Sequence, residues 1–421
     1  MRILIASFVF LSVCPLFAGA DGTARVTATE ADRFVDEIGV NVHLHYNDTV
    51  YGDFAKVKAA LLDLGVRHVR DGLVYSGWKP YYDGNRELAS AGNKCTFITS
   101  LPLERLPEVA GRVKDSLEAF EGPNEVNLNK WTVENARNYQ HHLWDAVKAS
   151  PFADTPVVAL SVTDFKWAQQ LGDISTWCDY GNAHPYPGGC WPENNCSWMR
   201  ADITSGIATA RAGCAAKPVM ITETGYNNKT SPGGHVPVSR EIAGVYLPRL
   251  FLINHRNGIA RTFWYELFNL RNNPADEESN FGLYENDGTT PKPAARAMKN
   301  LIALLRDPGP AFKSGQLGFT LSKPEVQSVL FQKRNGEYWL ALWLPQTLWD
   351  QSRPYGQKQE VHPAPMDCEV QIAGDIASVT CHGQLDTSQP ESTKIATPAR
   401  FAVSVSARVL LLQIAPAKPA S

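Results

Sequence analysis

The run Ala119-Phe120-Glu121-Gly122-Pro123-Asn124-Glu125 decides how this chain is read. Its first three residues fit the end of a short buried strand, Gly122-Pro123 stops it, and Asn124-Glu125 open the following loop. A second run, Ile221-Thr222-Glu223-Thr224-Gly225, has the same shape: an apolar stretch beginning at Val219 ends on a carboxylate. Side chains at the C-terminal ends of parallel strands are where a closed barrel carries its reactive groups.

Outward from these two runs, the chain alternates short apolar segments with amphipathic helical stretches. Strand-like segments fall at 38–44, 66–70, 96–99, 119–121, 157–160, 180–183, 219–222 and 260–264; helical patterns fall at 54–64, 106–117, 133–148, 199–212 and 240–256. A further helical stretch, 293–305, closes the series. Such alternation predicts the α/β class with a parallel sheet, and eight strands with room for eight helices predict a (β/α)8 TIM barrel. The competing architecture is an open doubly wound sheet, which usually shows a Gly-rich phosphate turn after its first strand; this chain has none there. Asp307-Pro308-Gly309-Pro310 ends the pattern. Beyond it lie strand-like segments at 326–332, 338–344, 368–372, 377–381 and 401–414, with Asn335-Gly336 as a hairpin turn. The expected organisation is a barrel over 21–308 and a small C-terminal antiparallel β-sandwich domain over 309–421. In Tyr338-Trp339-Leu340-Ala341-Leu342-Trp343, the two tryptophans share a face with Ala341, a pattern that favours packing over a ligand surface.

Composition excludes several classes. Lys plus Arg (40) nearly balances Asp plus Glu (43), and no basic run suggests nucleic acid. Residues 1–20 have the form of an export signal: Arg2, an apolar stretch over 3–17, then Ala18-Gly19-Ala20. That stretch is too short for a good membrane span, and no later one is long enough. The expectation is a secreted or periplasmic monomer. Removing the signal leaves seven cysteines. Cys190 with Cys196 and Cys368 with Cys381 would close short loops, Cys178 and Cys214 could pair, and Cys95 would be left buried on a strand. Zinc-ligand spacing is absent, so no metal is expected.

Two carboxylates facing each other across a barrel mouth can divide acid and base roles if their surroundings separate their pKa values. At this point the chain resembles the retaining (β/α)8 glycoside hydrolases of clan A, most closely the family 39 and family 5 types. The resemblance rests on Asn124-Glu125 after the fourth strand and Glu223 on the seventh, and spans about residues 35–303. It implies cleavage of β-linked oligo- or polysaccharide in two steps, with Glu223 as nucleophile, Glu125 as acid/base and no cofactor. It implies that Asn124 binds a sugar hydroxyl, that Arg70 keeps the nucleophile ionised, that His184 or Tyr186 orients it, and that Trp264 forms a platform under the sugar. Arg70 as a structural ion-pair partner of Asp71 or another acid, His184 as a structural histidine and Trp264 as a barrel-layer residue are the competing readings.

His43 and His45 alternate at the first strand and can both face the mouth. Trp78, Tyr226, Asn227 and Glu266 are secondary candidates for lining subsites, and the 188–198 insertion for walling the cleft. A transglycosylase would use the same residues, with a sugar hydroxyl in place of water. A carbohydrate-binding protein without catalysis would not need both glutamates.

Overall fold

The computed structural model describes residues 24–193, 203–232, 234–353 and 359–417, with the backbone of 17–18. All but these last two residues of the candidate export signal lie outside them, as does Cys196. Eight parallel strands form the central sheet: β1 (Ile38–Asn41), β2 (His68–Leu73), β3 (Lys94–Thr99), β4 (Leu117–Glu121), β5 (Val157–Val158), β6 (Gly181–Ala183), β7 (Val219–Thr224) and β8 (Arg261–Trp264). β8 pairs with β1, and the seam between β5 and β6 is closed by a parallel bridge from Val158 to Tyr180. The expected barrel is therefore present.

Eight helices follow the strands: α1 (Phe54–Leu64), α2 (Lys79–Ser90), α3 (Leu106–Val113), α4 (Val133–Lys148), α5 (Phe165–Leu171), α6 (Ile203–Cys214), α7 (Arg240–Arg256) and α8 (Pro293–Leu305). Local chemistry sets their ends. Asp53, Thr132 and Ser239 accept backbone N–H bonds at the starts of α1, α4 and α7, and Gly65 (φ 74°) closes α1 in the left-handed conformation. Two helices were not expected. α2 has Pro80 at its start, and α5 is only seven residues long, too short for a visible period. The stretch expected as one helix over 106–117 ends at Val113, because Leu117 already belongs to β4.

Two sheets, antiparallel except where Thr29–Glu30 pairs parallel with Gln327–Gln332, form the expected sandwich. One runs Phe17–Ala18, Ala24–Thr27, Gln316–Leu321, Met366–Ile372 and Arg400–Val405; the other runs Glu391–Ile395, Ile376–Gly383, Leu410–Pro416, Tyr338–Trp343, Gln327–Gln332 and Thr29–Glu30. Residues 24–30, grouped with the barrel by sequence, thus pair with sandwich strands before the chain enters β1.

The strand Tyr338–Trp343 is buried at every position because both its faces are covered. Leu340 and Leu342 point into the sandwich core, whereas Trp339, Ala341 and Trp343 pack on the barrel cluster. The two tryptophans are packing residues, as their spacing suggests. Trp343 Nε1 donates to Glu193 at 2.6 Å, and the same carboxylate receives the buried Arg249, which also reaches Gln346 O at 3.0 Å. These bonds tie the loop after β6 and helix α7 to the sandwich.

The cysteines correct the sequence reading. Cys368 and Cys381 are free thiols, on strands of the two different sheets. Cys178 and Cys214 are likewise free, although their thiols are in hydrogen-bonding contact. Cys95 is buried and free on β3, as expected.

Candidate active site

The two glutamates singled out by sequence meet at one mouth. Carboxylate oxygens of Glu125 and Glu223 and a ring nitrogen of His184 all lie within 4.8 Å of one another. Retaining glycosidases hold their carboxyls about 5–5.5 Å apart, and inverting ones leave roughly 6.5–9.5 Å for a water.

β7 reaches this geometry through an irregularity. Its register against β8 shifts between Ile221 and Thr224, so three steps on β7 match two on β8. Neighbours on a regular strand point to opposite faces, but here Thr222 and Glu223 both turn inward. The carboxylate of Glu223 is buried, with Oε1 taking a hydrogen bond from Arg70 and Oε2 one from Tyr186 Oη at 2.9 Å. Burial pushes its pKa up, but the His184 and Arg70 charges and the Arg70 and Tyr186 hydrogen bonds outweigh that, holding it down at about 2.

Arg70, at the middle of β2, spends all five guanidinium donors. Nε and Nη2 form a fork on Glu121 at 2.7 Å each, Nη2 also reaches Asn124 Oδ1 at 2.7 Å, and Nη1 reaches Asn41 Oδ1 at 3.0 Å and Glu223. Arg70 is therefore the hub of the site; its buried ion-pair partners are Glu121 and Glu223, not Asp71. Asn124 gives its oxygen to Arg70, so its Nδ2 faces away from that contact, and no described residue takes a hydrogen bond from it.

Glu121 is the residue that sequence reasoning missed. It is fully buried and accepts from Arg70, from Asn182 Nδ2 at 2.9 Å and lies 3.0 Å from Thr222 Oγ1. The available signal was an acid inside an apolar strand, which demands a buried cation. Gly122 follows because β5 passes close by: a Cβ there would lie 2.5 Å from Leu160 N and 2.3 Å from Gln140 Oε1.

Glu125 sits on the tight loop after β4 in the left-handed region (φ 43°), with its N–H donating to Ser161 Oγ at 2.7 Å. Its Oε1 lies 2.9 Å from His184 Nδ1, and its side chain is partly open to solvent. His184 Nε2 lies 2.8 Å from Thr222 Oγ1, whose other neighbours, Asn182 Oδ1 (2.7 Å) and Glu121 Oε1, can only accept. Thr222 must donate its one proton to one of these, so its oxygen accepts from His184 Nε2–H. His184 Nδ1 then faces Glu125 Oε1.

The remaining expectations divide. His43 and His45 lie on the loop after β1, which ends at Asn41. His43 Nε2 is 3.1 Å from Glu266 Oε2, beside the Tyr265 ring (5.6 Å between centroids), whereas His45 turns to Asp71 at 3.2 Å. Trp264 is corrected: it is 1% exposed within the core cluster and offers no platform. The next residue, Tyr265, leaves the strand on the opposite side and stands among His43, Tyr186 and Phe281, with Oη donating to Glu278 Oε2 at 3.1 Å. Of the secondary candidates, Tyr226, Asn227 and Glu266 are buried and Trp78 packs against Phe54. His235 and Phe281, unassigned by sequence, pack edge-on against Tyr186.

The depressed Glu223 pKa has a stability consequence. Its folded value lies below the ordinary 4.5, so its contribution is whole above pH 4.5 and is lost as pH falls towards 2. Wild-type protein should lose more thermal stability between pH 5 and about 2.5 than the Glu223→Gln variant. Parallel melting curves of the two proteins would refute the assignment.

No family model matches the sequence, and no curated protein matches it. Solved structures do match in fold. A family 39 glycoside hydrolase from the gut symbiont Bacteroides cellulosilyticus WH2 superposes with a TM-score of 0.64 at 16% identity, over 92% of this chain and 82% of that one. The GH39 enzyme from Xanthomonas axonopodis pv. citri gives 0.57 at 16% identity, over 93% and 96%. A monomeric β-xylosidase from Caulobacter crescentus CB15 gives 0.58 at 15% identity, over 93% and 98%. The chain therefore has the barrel-and-sandwich fold of these glycoside hydrolases over nearly its whole length. Among the described residues, no helix is long and apolar enough to cross a membrane.

Proposed function

We propose that this protein is an exported, monomeric retaining glycoside hydrolase acting on β-linked glycans. The observation that carries the reading is the approach of the Glu125 and Glu223 carboxylates to within 4.8 Å in contrasting surroundings. Glu223 is buried and clamped as an anion; Glu125 is partly open to solvent and lies 2.9 Å from His184 Nδ1. In the first step a Glu223 oxygen attacks the anomeric carbon as the glycosidic C–O bond breaks, and the leaving oxygen takes the proton from Glu125. In the second, water attacks the same carbon and gives its proton to Glu125, while the Glu223 ester bond breaks. Both glutamates return to their starting states, and no redox partner is needed. Asn124 Nδ2 is placed to bind the sugar beside the reacting carbon, where a hydrogen bond gains strength as positive charge forms on the ring.

Glu125→Ala should divide substrates by leaving group. Glycosides with a poor leaving group should lose about 10²–10⁴-fold in kcat/KM, whereas activated aryl glycosides should keep their first step. Azide should restore turnover of the aryl substrates and yield a glycosyl azide of retained configuration. An equal loss on all substrates, with no azide rescue, would remove Glu125 from the acid/base role.

A further inference from the structure

A second feature lies on the loop that carries Glu125. Residues 125–131 form a tight set of turns: Leu128 N and Asn129 N donate to Glu125 O at 2.9 and 3.2 Å, and Trp131 N donates to Val126 O at 3.1 Å. Trp131 thus ends the loop that begins with the Asn124-Glu125 pair, and α4 starts two residues later. Where this loop runs into the first turns of α4 is an open groove of about 430 Å³, lined by Lys130, Trp131, Asn135, Asn138, Tyr139 and His142. The volume falls in the roughly 300–1,000 Å³ range of small-molecule sites.

The lining has a definite chemistry. Trp131 and Tyr139 stand at 78° with ring centroids 5.5 Å apart, making a two-walled aromatic corner. Tyr139 Oη donates to Leu101 O at 3.0 Å, so its ring is anchored as a wall. Asn135, Asn138, Tyr139 and His142 recur at helical spacing along one face of α4. A solvent face of that kind normally carries Lys and Glu, but this one carries two neutral amides, an imidazole and a ring. None of the described residues hydrogen-bonds the side chains of Lys130, Asn135, Asn138 or His142. Aromatic walls that cover the apolar face of a pyranose, rimmed by unspent donors and acceptors, suit a sugar better than a protein side chain or a lipid.

We infer that the Trp131–Tyr139 groove is a second carbohydrate-binding site, which holds a segment of β-linked glycan on the same rim as the catalytic pair. The identity of its ligand rests on the glycosidase reading; the groove itself does not.

The test is affinity electrophoresis of the full-length chain through gels containing hydroxyethyl cellulose, xylan or glucomannan. The parent carries Glu223→Gln, so that the gel polymer survives. At least one polymer should retard it, and adding Trp131→Ala should raise the apparent Kd for that polymer about tenfold. Because Trp131 is partly buried, Asn138→Ala/His142→Ala serves as the second variant and should also weaken retardation. Unchanged retardation of both variants, or no retardation of the parent by any polymer, overturns the groove. Wild-type hydrolysis is scored separately. Trp131-dependent retardation without hydrolysis of any polymer keeps the groove and removes the hydrolase; hydrolysis with retardation indifferent to all three substitutions does the reverse.

Discussion

Replacing Glu223 by glutamine is expected to lower kcat by about 10⁵-fold while leaving the fold intact and only modestly less stable at neutral pH. The loss follows because the amide oxygen is a poor nucleophile towards the anomeric carbon, whatever the leaving group. This independence of the leaving group separates Glu223 from Glu125. The stability half of the expectation comes from charge. Arg70 is one buried cation between two buried carboxylates, Glu121 and Glu223. Removing the charge of Glu223 leaves Arg70 neutralised by Glu121 through the two-pronged contact, so no ion is stranded. The variant forgoes only the favourable contacts that hold the Glu223 pKa down. Steady-state kinetics on aryl glycosides and a thermal melt at neutral pH check both halves. Near-normal turnover would remove the nucleophile assignment; a large drop in melting temperature would show that Glu121 alone does not satisfy Arg70.

The parts of this site that were legible in sequence share one property: they end a strand. Glu125 and Glu223 could be found because an apolar run stops at a turn, and a barrel directs such ends to a common rim. His184-Pro185-Tyr186 was legible for the same reason, and the structure brings His184 and Tyr186 to the two glutamates. Glu121 was quoted but not assigned, because its meaning depends on Arg70, 51 positions away on another strand. The phase at the end of β8 failed differently. Trp264 pairs with Thr224 beyond the irregularity in β7, so counting residues from one strand to the next loses a step there. Trp264 then falls in the core and Tyr265 takes the exposed side. The Cys368–Cys381 pairing failed because nearness in sequence does not set the Cα and Cβ separations that a disulfide requires.

Arg70 should be the residue whose loss costs the most stability. Arg70→Met strands the carboxylates of Glu121 and Glu223 together in a buried site, and removing one partner of a buried ion pair costs about 3–5 kcal/mol. For a chain of this size the melting temperature should fall by about 3–6 °C at neutral pH. Protonation of one carboxylate relieves the repulsion, so the deficit should shrink as the pH is lowered towards 5. Adding Glu121→Gln should recover part of the lost stability, because one of the stranded charges is gone. It should not recover activity, since Asn124 has lost the donor that holds its oxygen and Glu223 the cation that keeps it ionised. Arg70→Lys separates charge from geometry: an ammonium can neutralise one carboxylate, but its three donors cannot span Glu121, Asn41, Asn124 and Glu223 together. It should therefore melt closer to the wild type than the Met variant while losing about 10²-fold or more in kcat/KM. If Arg70→Met melts with the wild type, the guanidinium is not the element that neutralises this core, and His184 and Tyr186 alone hold the Glu223 pKa down.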